Sequence, residues 1–394
     1  MAFELVLFFG SSRIFIQTDC LLHEVHCNYD KIIGSEILRV LIDVGHPAHV
    51  HFFKNTIWSL EKKGHKVMVV SRDKDVVLEL LTAYKIPHIE ISKVKPGKFH
   101  LLEELVIREY KILKIAKQFD PDVLMGILSP NIAQIAWILR KKSIIFNDTE
   151  HAVLVQKITY PFCDIICTPS CHLKYEGKKQ INYSGYHELA YLHPSYFNPH
   201  NDIIKELGVE VGEPFIILRF ITWEAHHDVG QRGIENKLQL VQELEKFGKV
   251  FITSEGPLAE EFKRYKIRVT SEKIHHLLYY ATLYVGEGAT MAVESAILGT
   301  PSIYVSTLAG TMGNFSELEE RYGLLFNYSD SEAALAKALE LLKNPELKKT
   351  WSLKRAALLR DKINVTEFIV KLIESLPVKN SRISLPTVPD ESYA

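Results

Sequence analysis

Beyond residue 37 the chain alternates between two hydrophobic periodicities. Short apolar runs, LRVLIDV (38–44), HKVMVVS (65–71), PHIEIS (87–92), PDVLMGI (121–127) and SIIFND (143–148), predict strands. Between them, VHFFKNTIWSLEKKG (50–64) and the stretches 74–84, 100–118 and 130–140 bring apolar residues back every three or four positions, which predicts helices. The pattern thins across YSGYHELAYLHPSYFNPHND (183–202), whose aromatic, proline and asparagine content reads as a connecting link. A second series then begins. FIILRF (215–220), KVFITS (249–254), IRVT (267–270), LYVGEG (283–288) and PSIYV (301–305) predict strands, separated by helical stretches at 234–247, 257–264, 273–280 and 291–298. Helices are expected at 331–343 and 346–360, and a last amphipathic one in VTEFIVKLIESL (365–376).

Repeated strand–helix units build doubly wound parallel sheets, and two series predict an α/β protein of two Rossmann-like domains facing a central cleft. The expected divisions are an extension at 1–37 that the fold does not need, a first domain at 38–185 and a link at 186–204. A second domain at 205–360, a helix at 361–376 that returns to the first domain, and a disordered tail at 377–394 complete the chain.

Composition narrows the function classes. With 47 Lys and Arg against 48 Asp and Glu, the formal net charge is −1, so no general field draws nucleic acid or an anionic membrane. Five cysteines make no disulfide framework and favour a reducing compartment. No run is long enough to span a bilayer, and the N-terminal apolar stretch lacks a basic leader and a small-residue cleavage site. The expected location is the cytoplasm, either free or at the inner face of the membrane.

The sharpest chemical signal is YVGEGATMAVESAILGTPSIYV (284–305). A strand ends in Gly286, and Gly288, Ala289 and Thr290 lead into a helix whose free N–H groups and dipole suit a diphosphate. Glu294, one turn further on, can accept two hydroxyl hydrogen bonds, as a ribose would offer. A tight turn with a carboxylate on the helix dipole would read the same way.

This stretch resembles the nucleotide-diphosphate element of the GT-B group, which holds glycosyltransferases of that fold and the non-hydrolysing UDP-N-acetylglucosamine 2-epimerases. The resemblance implies phosphate contacts at Gly288, Ala289 and Thr290 and ribose contacts at Glu294, with Gly299 and Pro301 closing the motif. LIDVGHPAHVHFFKNTIWSLEKKGHKVMVVSRDKD (41–75) is similar to the first βαβ unit of GT-B proteins. It places His46 and His49 in the acceptor-side loop, His49 where peptidoglycan-type N-acetylglucosaminyltransferases carry a loop histidine. DVGHPAHVHFFKN, SPNIAQIAWILRKKSIIFNDTEHA and ITWEAHHD together resemble the domain-of-unknown-function 354 family over roughly residues 38–376.

Other groups fit this frame unevenly. In FNDTEHA, Glu150 matches a functional Glu of the 2-epimerases, whereas Asp148 stands where they have His. A polar loop capped by Asp148 is the plainer reading. In LRFITWEAHHD, Arg219, His226 and His227 could meet phosphate or acceptor charge. His46, His49 and His51 are close in sequence, but a helix opening at Pro47 turns His49 and His51 to different sides, so no metal site is expected. Asp73-Lys-Asp75 and Asp120-Pro-Asp122 match a short acidic triplet by chance. Cys163 and Cys167 read as small apolar residues on one strand face.

The reading that results is a glycosyltransferase using a nucleotide sugar, in the first instance a UDP-sugar, as donor substrate without a required metal or other cofactor. The acceptor is a glycan, a lipid-linked or a small molecule, and oligomeric state stays open. His49 is the expected base and Glu150 orients a substrate. The alternatives are a UDP-sugar 2-epimerase, a nucleotide-sugar-binding protein without chemistry, and a metal hydrolase built on the histidines.

Overall fold

The structure is a computed structural model and describes residues 36–93, 98–221, 233–254, 256–307 and 310–377. His226, with Trp223 and His227, lies outside the described residues, as do residues 1–35 of the extension and 378–394 of the tail.

In the first series the elements are β1 (Arg39–Val44), α1 (Pro47–Lys62), β2 (Lys66–Asp73), α2 (Val77–Ala83), β3 (Ile89–Lys93), α3 (Lys98–Phe119), β4 (Val123–Ile127), α4 (Pro130–Leu139), β5 (Lys142–Phe146), α5 (Val153–Thr159), β6 (Ile165–Pro169) and β7 (Gln180–Tyr183). Two short helices, α6 (Leu189–Leu192) and α7 (Asp202–Glu206), lead into the second series. That series runs β8 (Phe215–Phe220), α8 (Lys237–Leu244), β9 (Lys249–Ser254), α9 (Ile274–Tyr280), β10 (Leu283–Gly286), α10 (Ala289–Leu298), β11 (Ser302–Val305), α11 (Gly313–Ser316) and β12 (Leu325–Tyr328). It closes with α12 (Ser331–Leu342), α13 (Leu347–Asp361) and α14 (Val365–Glu374).

Every strand pair is parallel. The first sheet has the order β3-β2-β1-β4-β5-β6-β7 and the second β12-β11-β10-β8-β9. Both are doubly wound, so the strand order reverses between β1 and β4 in one and between β8 and β10 in the other. Local signals start and stop the helices as expected. Pro47 opens α1 with a fixed φ, and the imidazole Nδ1 of His46 accepts the Ala48 N–H as its cap. Gly299 ends α10 in the left-handed region at φ 85°.

Three sequence expectations change. IRVT (267–270) forms no strand; Ile252 makes only an isolated bridge to Lys266, and a 3₁₀ turn at Glu260–Tyr265 replaces the helix expected at 257–264. The stretch 183–202 connects the two series, but its first half is core: Tyr186 through Leu192 are all buried. α6 packs on α1 and α14, and the Ala190 carbonyl accepts from Asn55 Nδ2 (2.8 Å) and Thr366 Oγ1 (2.7 Å). Those two donors come from α1 and α14, which meet again at their far ends through Lys63 and Glu374 at 2.8 Å.

Candidate functional site

Ligands of open α/β sheets sit beyond the carboxyl ends of the strands, where the strand order reverses. In the first sheet that point is the loop after β1, carrying Gly45 and His46; His49, expected in this loop, lies instead in the first turn of α1. In the second it is the pair of loops after β8 and β10, carrying Arg219 near one strand end and Gly286 to Ala289 at the other.

The second-domain half is built around the amino end of α10. Gly288 is its N-cap and among the described residues no side chain caps it, which leaves the first N–H groups of the helix for a ligand. Gly286 and Gly288 are required by Arg219, whose side chain lies along the turn. A Cβ at Gly286 would stand 2.7 Å from Arg219 Cβ and 2.5 Å from the Tyr284 hydroxyl, and one at Gly288 would stand 3.1 Å from Arg219 Cγ. A guanidinium stem thus lies against a helix N-terminus, the arrangement that suits a diphosphate. Glu287, between the two glycines, has a structural task. Its Oε2 accepts the Ile221 N–H and its Oε1 the Ile234 N–H, both at 2.8 Å, pinning the two ends of the segment that carries His226.

Glu294 is buried rather than open. Its Oε1 accepts the Tyr191 hydroxyl at 2.7 Å and lies 2.8 Å from His275 Nε2. Its Oε2 accepts no hydrogen bond among the described residues and is left for a further donor. Tyr191 sits on α6 and His275 on α9, and His51 of α1 stacks on Tyr191 (5.3 Å between centroids) and meets His275 edge-on (4.6 Å). The carboxylate is therefore joined through aromatic rings to the first domain.

The first-domain half is a cluster of imidazoles. Burial, helped by Lys74, lowers the His46 pKa to about 4; Arg219 acts in the same direction and Glu294 against it, which places His46 across from the second-domain groups. His49 is pushed well below its ordinary 6.5, first by burial and then by the charges of His46 and His187, with Asp148 opposing. It does not cap α1. Its Nδ1 accepts the Gly45 N–H over a long 3.4 Å, which leaves the proton of the neutral ring on Nε2. His51 is lowered well below 6.5 by burial and by His275, and its Nδ1 stands 3.3 Å from the Tyr84 hydroxyl.

Between the halves lies a polar group of which the sequence reading singled out only Asp148. Asp148 Oδ2 stands 3.1 Å from His187 Nδ1. Burial works to raise the Asp148 pKa, but His187 and the Thr149 hydroxyl outweigh it and hold the carboxyl below its usual range. Next along the chain, burial raises Glu188 well above its ordinary value, and Asp148 and Glu294 add to the rise. Glu188 Oε2 and His187 Nε2 are fully enclosed and have no hydrogen-bond partner among the described residues. Buried polar atoms without partners cost free energy and mark places where a ligand, a water or a proton has a role. The only cue in the sequence was three titratable side chains in a short stretch, His187, Glu188 and Tyr191, masked by its link-like composition.

Glu150 faces elsewhere. Its Oε1 accepts the Gly313 N–H (3.0 Å) and the Leu173 N–H (3.2 Å) and lies 3.4 Å from His172 Nδ1. Gly313 has no room for a side chain, since a Cβ would fall 1.8 Å from the Cys171 carbonyl oxygen. Glu150 thus fastens the β6–β7 connection to α11. Thr290 and Ala289 occupy the first turn of α10, as expected. Among the described residues no three His, Cys, Asp or Glu groups are disposed to hold a metal ion, and Cys163, Cys167 and Cys171 are free. Asp122 accepts the Arg39 N–H at the amino edge of the first sheet, away from the cleft.

Comparison with known proteins agrees with this architecture. The family model described as protein of unknown function (DUF354) matches residues 38–365. An uncharacterized protein of Methanocaldococcus jannaschii is 28% identical over 283 residues, 68% of this chain and 81% of that one. Among solved structures, the UDP-GlcNAc 2-epimerase of Neisseria meningitidis bound to UDP-GlcNAc superposes with a TM-score of 0.64 at 13% identity, covering 85% of this chain and 99% of the other. A Streptomyces glycosyltransferase complexed with thymidine diphosphate gives 0.57 at 14% identity, over 86% of this chain and 100% of the other. The shared feature at such identities is the GT-B fold.

Proposed function

The chain belongs to the DUF354 family, and we propose that it is a nucleotide-sugar-dependent glycosyltransferase whose second domain holds the donor. The observation that carries the reading is the uncapped amino end of α10 with Arg219 laid along its glycine turn and Glu294 one turn beyond. The diphosphate would rest on the N–H groups of Ala289 and Thr290 and on Arg219, and a ribose hydroxyl would donate to Glu294 Oε2. Tyr191 and His275 fix that carboxylate from behind. The helix dipole and Arg219 would stabilise the leaving diphosphate without a divalent ion.

His49 would take the acceptor's proton. Burial keeps its ring neutral at pH 7, the state a base needs. The free lone pair is on Nδ1, so the acceptor hydroxyl would have to displace the weak contact to the Gly45 N–H, or the ring would have to turn over. Glu150 would act at one remove, by fixing the loop that carries Asp148.

A second reading is epimerisation at the sugar. It is favoured by Glu188, whose affinity for a proton burial raises, standing beside Asp148, whose carboxyl His187 holds below its usual range, because proton removal and return at carbon needs one group of each kind. One experiment orders these readings: thermal unfolding with a panel of nucleoside diphosphates and nucleotide sugars, followed by product analysis with the best ligand. A ligand at a hundred times its dissociation constant adds about 2.7 kcal/mol. Stabilisation by a UDP-sugar with transfer to an added acceptor supports the first reading, and a new sugar without acceptor supports the second. Binding without turnover leaves a binding protein, and no stabilisation by any nucleotide removes the proposal.

A further inference from the structure

α3, α4 and α5 lie side by side on one face of the first sheet. Asn131 Nδ2 of α4 donates to Glu109 Oε2 of α3 at 2.5 Å, and Gln134 Nε2 donates to the Ile158 carbonyl of α5 at 3.2 Å. Their inner faces form the core with Ile112, Ala116, Ile132 and Ile135. Their outer face should be polar, and it is not. Val106 and Tyr110 of α3 are each 68% exposed, Trp137 of α4 64% and Leu154 of α5 74%. Leu173 and Tyr175, in the connection after β6, extend the same surface at 62% and 79%. Among the described residues after 205, the exposed large apolar side chains are four: Leu238 on α8, Leu353 on α13, and Val211 and Ile363 in two separate connections. The first domain therefore concentrates what the second scatters, and concentrated apolar surface marks an interaction site.

Around these residues the exposed charges without a partner among the described residues are basic; the half-buried acids nearby, Glu109 beside Tyr110 and Glu176 beside Tyr175, are held by Asn131 Nδ2 and His172 Nε2. Lys114 and Lys117 of α3, Lys157 of α5 and Lys178 before β7 are exposed and have no ion-pair partner among the described residues. The exposed acids of this layer, Asp120 and Asp164, are each taken up by a lysine, Lys141 at 2.7 Å and Lys142 at 3.4 Å. A chain of formal net charge −1 has thus gathered unpaired positive charge on its most apolar face. No described helix is long and apolar enough to cross a membrane, so contact with lipid would be peripheral.

We propose that the outer face of α3, α4 and α5 is a docking surface for an anionic lipid bilayer. Tyr110, Trp137 and Tyr175 suit the headgroup boundary, where rings with one polar edge settle, and Val106, Leu154 and Leu173 enter the acyl region. The lysines meet acidic headgroups at the rim, each contributing roughly fivefold to partitioning at low salt. α3 alone has 22 residues, about 33 Å of helix, so the face is broad enough to lie flat on a membrane. α5 begins directly after the loop of Asp148 and Glu150, so docking brings the cleft's first-domain rim to the bilayer. The surface does not depend on the reaction. Only its consequence, an acceptor carried by a lipid, rests on the transferase reading.

The test is sedimentation of the full chain with phosphatidylcholine vesicles, with and without phosphatidylglycerol. Binding is expected only to the acidic vesicles and should weaken as salt rises. Val106→Asp with Leu154→Asp should lower partitioning roughly tenfold or more. Lys157→Gln with Lys178→Gln should lower it by about 25-fold. A control pair on the second domain, Val211→Asp with Leu238→Asp, should bind as the parent does. Each variant is checked for an unchanged melting temperature, and nucleotide stabilisation is measured alongside. Absent binding, equal binding to neutral vesicles, or binding that the first-domain variants leave intact would overturn the proposal. So would light scattering that shows the same variants dissolving a dimer, because the face would then be a contact between two copies. Vesicle binding without nucleotide stabilisation would retain the surface and remove the transferase reading.

Discussion

Replacing Glu294 separates two roles that its position combines. Its Oε1 satisfies the Tyr191 hydroxyl and meets His275 Nε2, at 2.7 and 2.8 Å, inside a buried contact between α6, α9 and α10. In Glu294→Ala both partners lose their acceptor. Each buried polar group left unpaired costs about 1–3 kcal/mol, so the variant should lose roughly 2–6 kcal/mol of stability. Glu294→Gln keeps the shape and one acceptor oxygen, and its loss should stay near 1–2 kcal/mol. The proposed ribose contact responds differently. Both variants remove the charge at Oε2 and should weaken UDP binding by roughly 10- to 100-fold, about 1.5–3 kcal/mol. Urea unfolding with an unchanged m-value reads the first effect, and titration calorimetry with UDP at a temperature where both variants are folded reads the second. Parent-like UDP affinity in Glu294→Gln would remove the ribose contact while leaving the structural role intact. Parent-like stability in Glu294→Ala would show that the buried contact carries no weight.

Replacing His49 by Gln or Ala should lower kcat by roughly 10²–10⁴-fold with UDP affinity nearly unchanged, and near-normal turnover would take the base role away from it. Glu188→Gln should resemble the neutral side chain. Because the folded carboxyl holds its proton far above the ordinary 4.5, the parent loses stability as pH rises from about that value, so the variant should gain roughly 1–3 kcal/mol on it at pH 8 and nothing at pH 4. A constant difference across urea titrations at several pH values would contradict that assignment. The imidazoles of His46, His49 and His51 give the opposite slope at lower pH. Their folded values lie below 6.5, so the unfolded chain binds the extra protons, and stability is complete above pH 6.5 and lost toward pH 4 by about 1–3 kcal/mol per ring. Triple replacement by Gln should flatten that limb in the same titrations.

The alternation of strands and helices, the all-parallel sheets and the glycine turn at α10 were legible in the sequence because each rests on neighbours in the chain. A period of two or of three to four needs only a short window, and Gly288 to Glu294 spans two turns of one helix. The same short range explains what was misread. IRVT has a strand's composition, but its pairing with β9 ends at the single bridge between Ile252 and Lys266, where the Ile267 N–H donates to the Ile252 carbonyl, and pairing beyond one residue cannot be judged from a local window. Tertiary structure alone decided the rest. Tyr191 and Glu294 are 103 positions apart, Glu150 and Gly313 are 163 apart, and His187 reaches back to Asp148 across two strands. The segment from Tyr186 to Leu192 looks like a connection because its residues are polar and aromatic, yet it is core, since partners from α1, α9, α10 and α14 satisfy or enclose those groups. Polar side chains enter an interior only when distant residues supply hydrogen bonds or a closed pocket, and no stretch of sequence contains that information by itself.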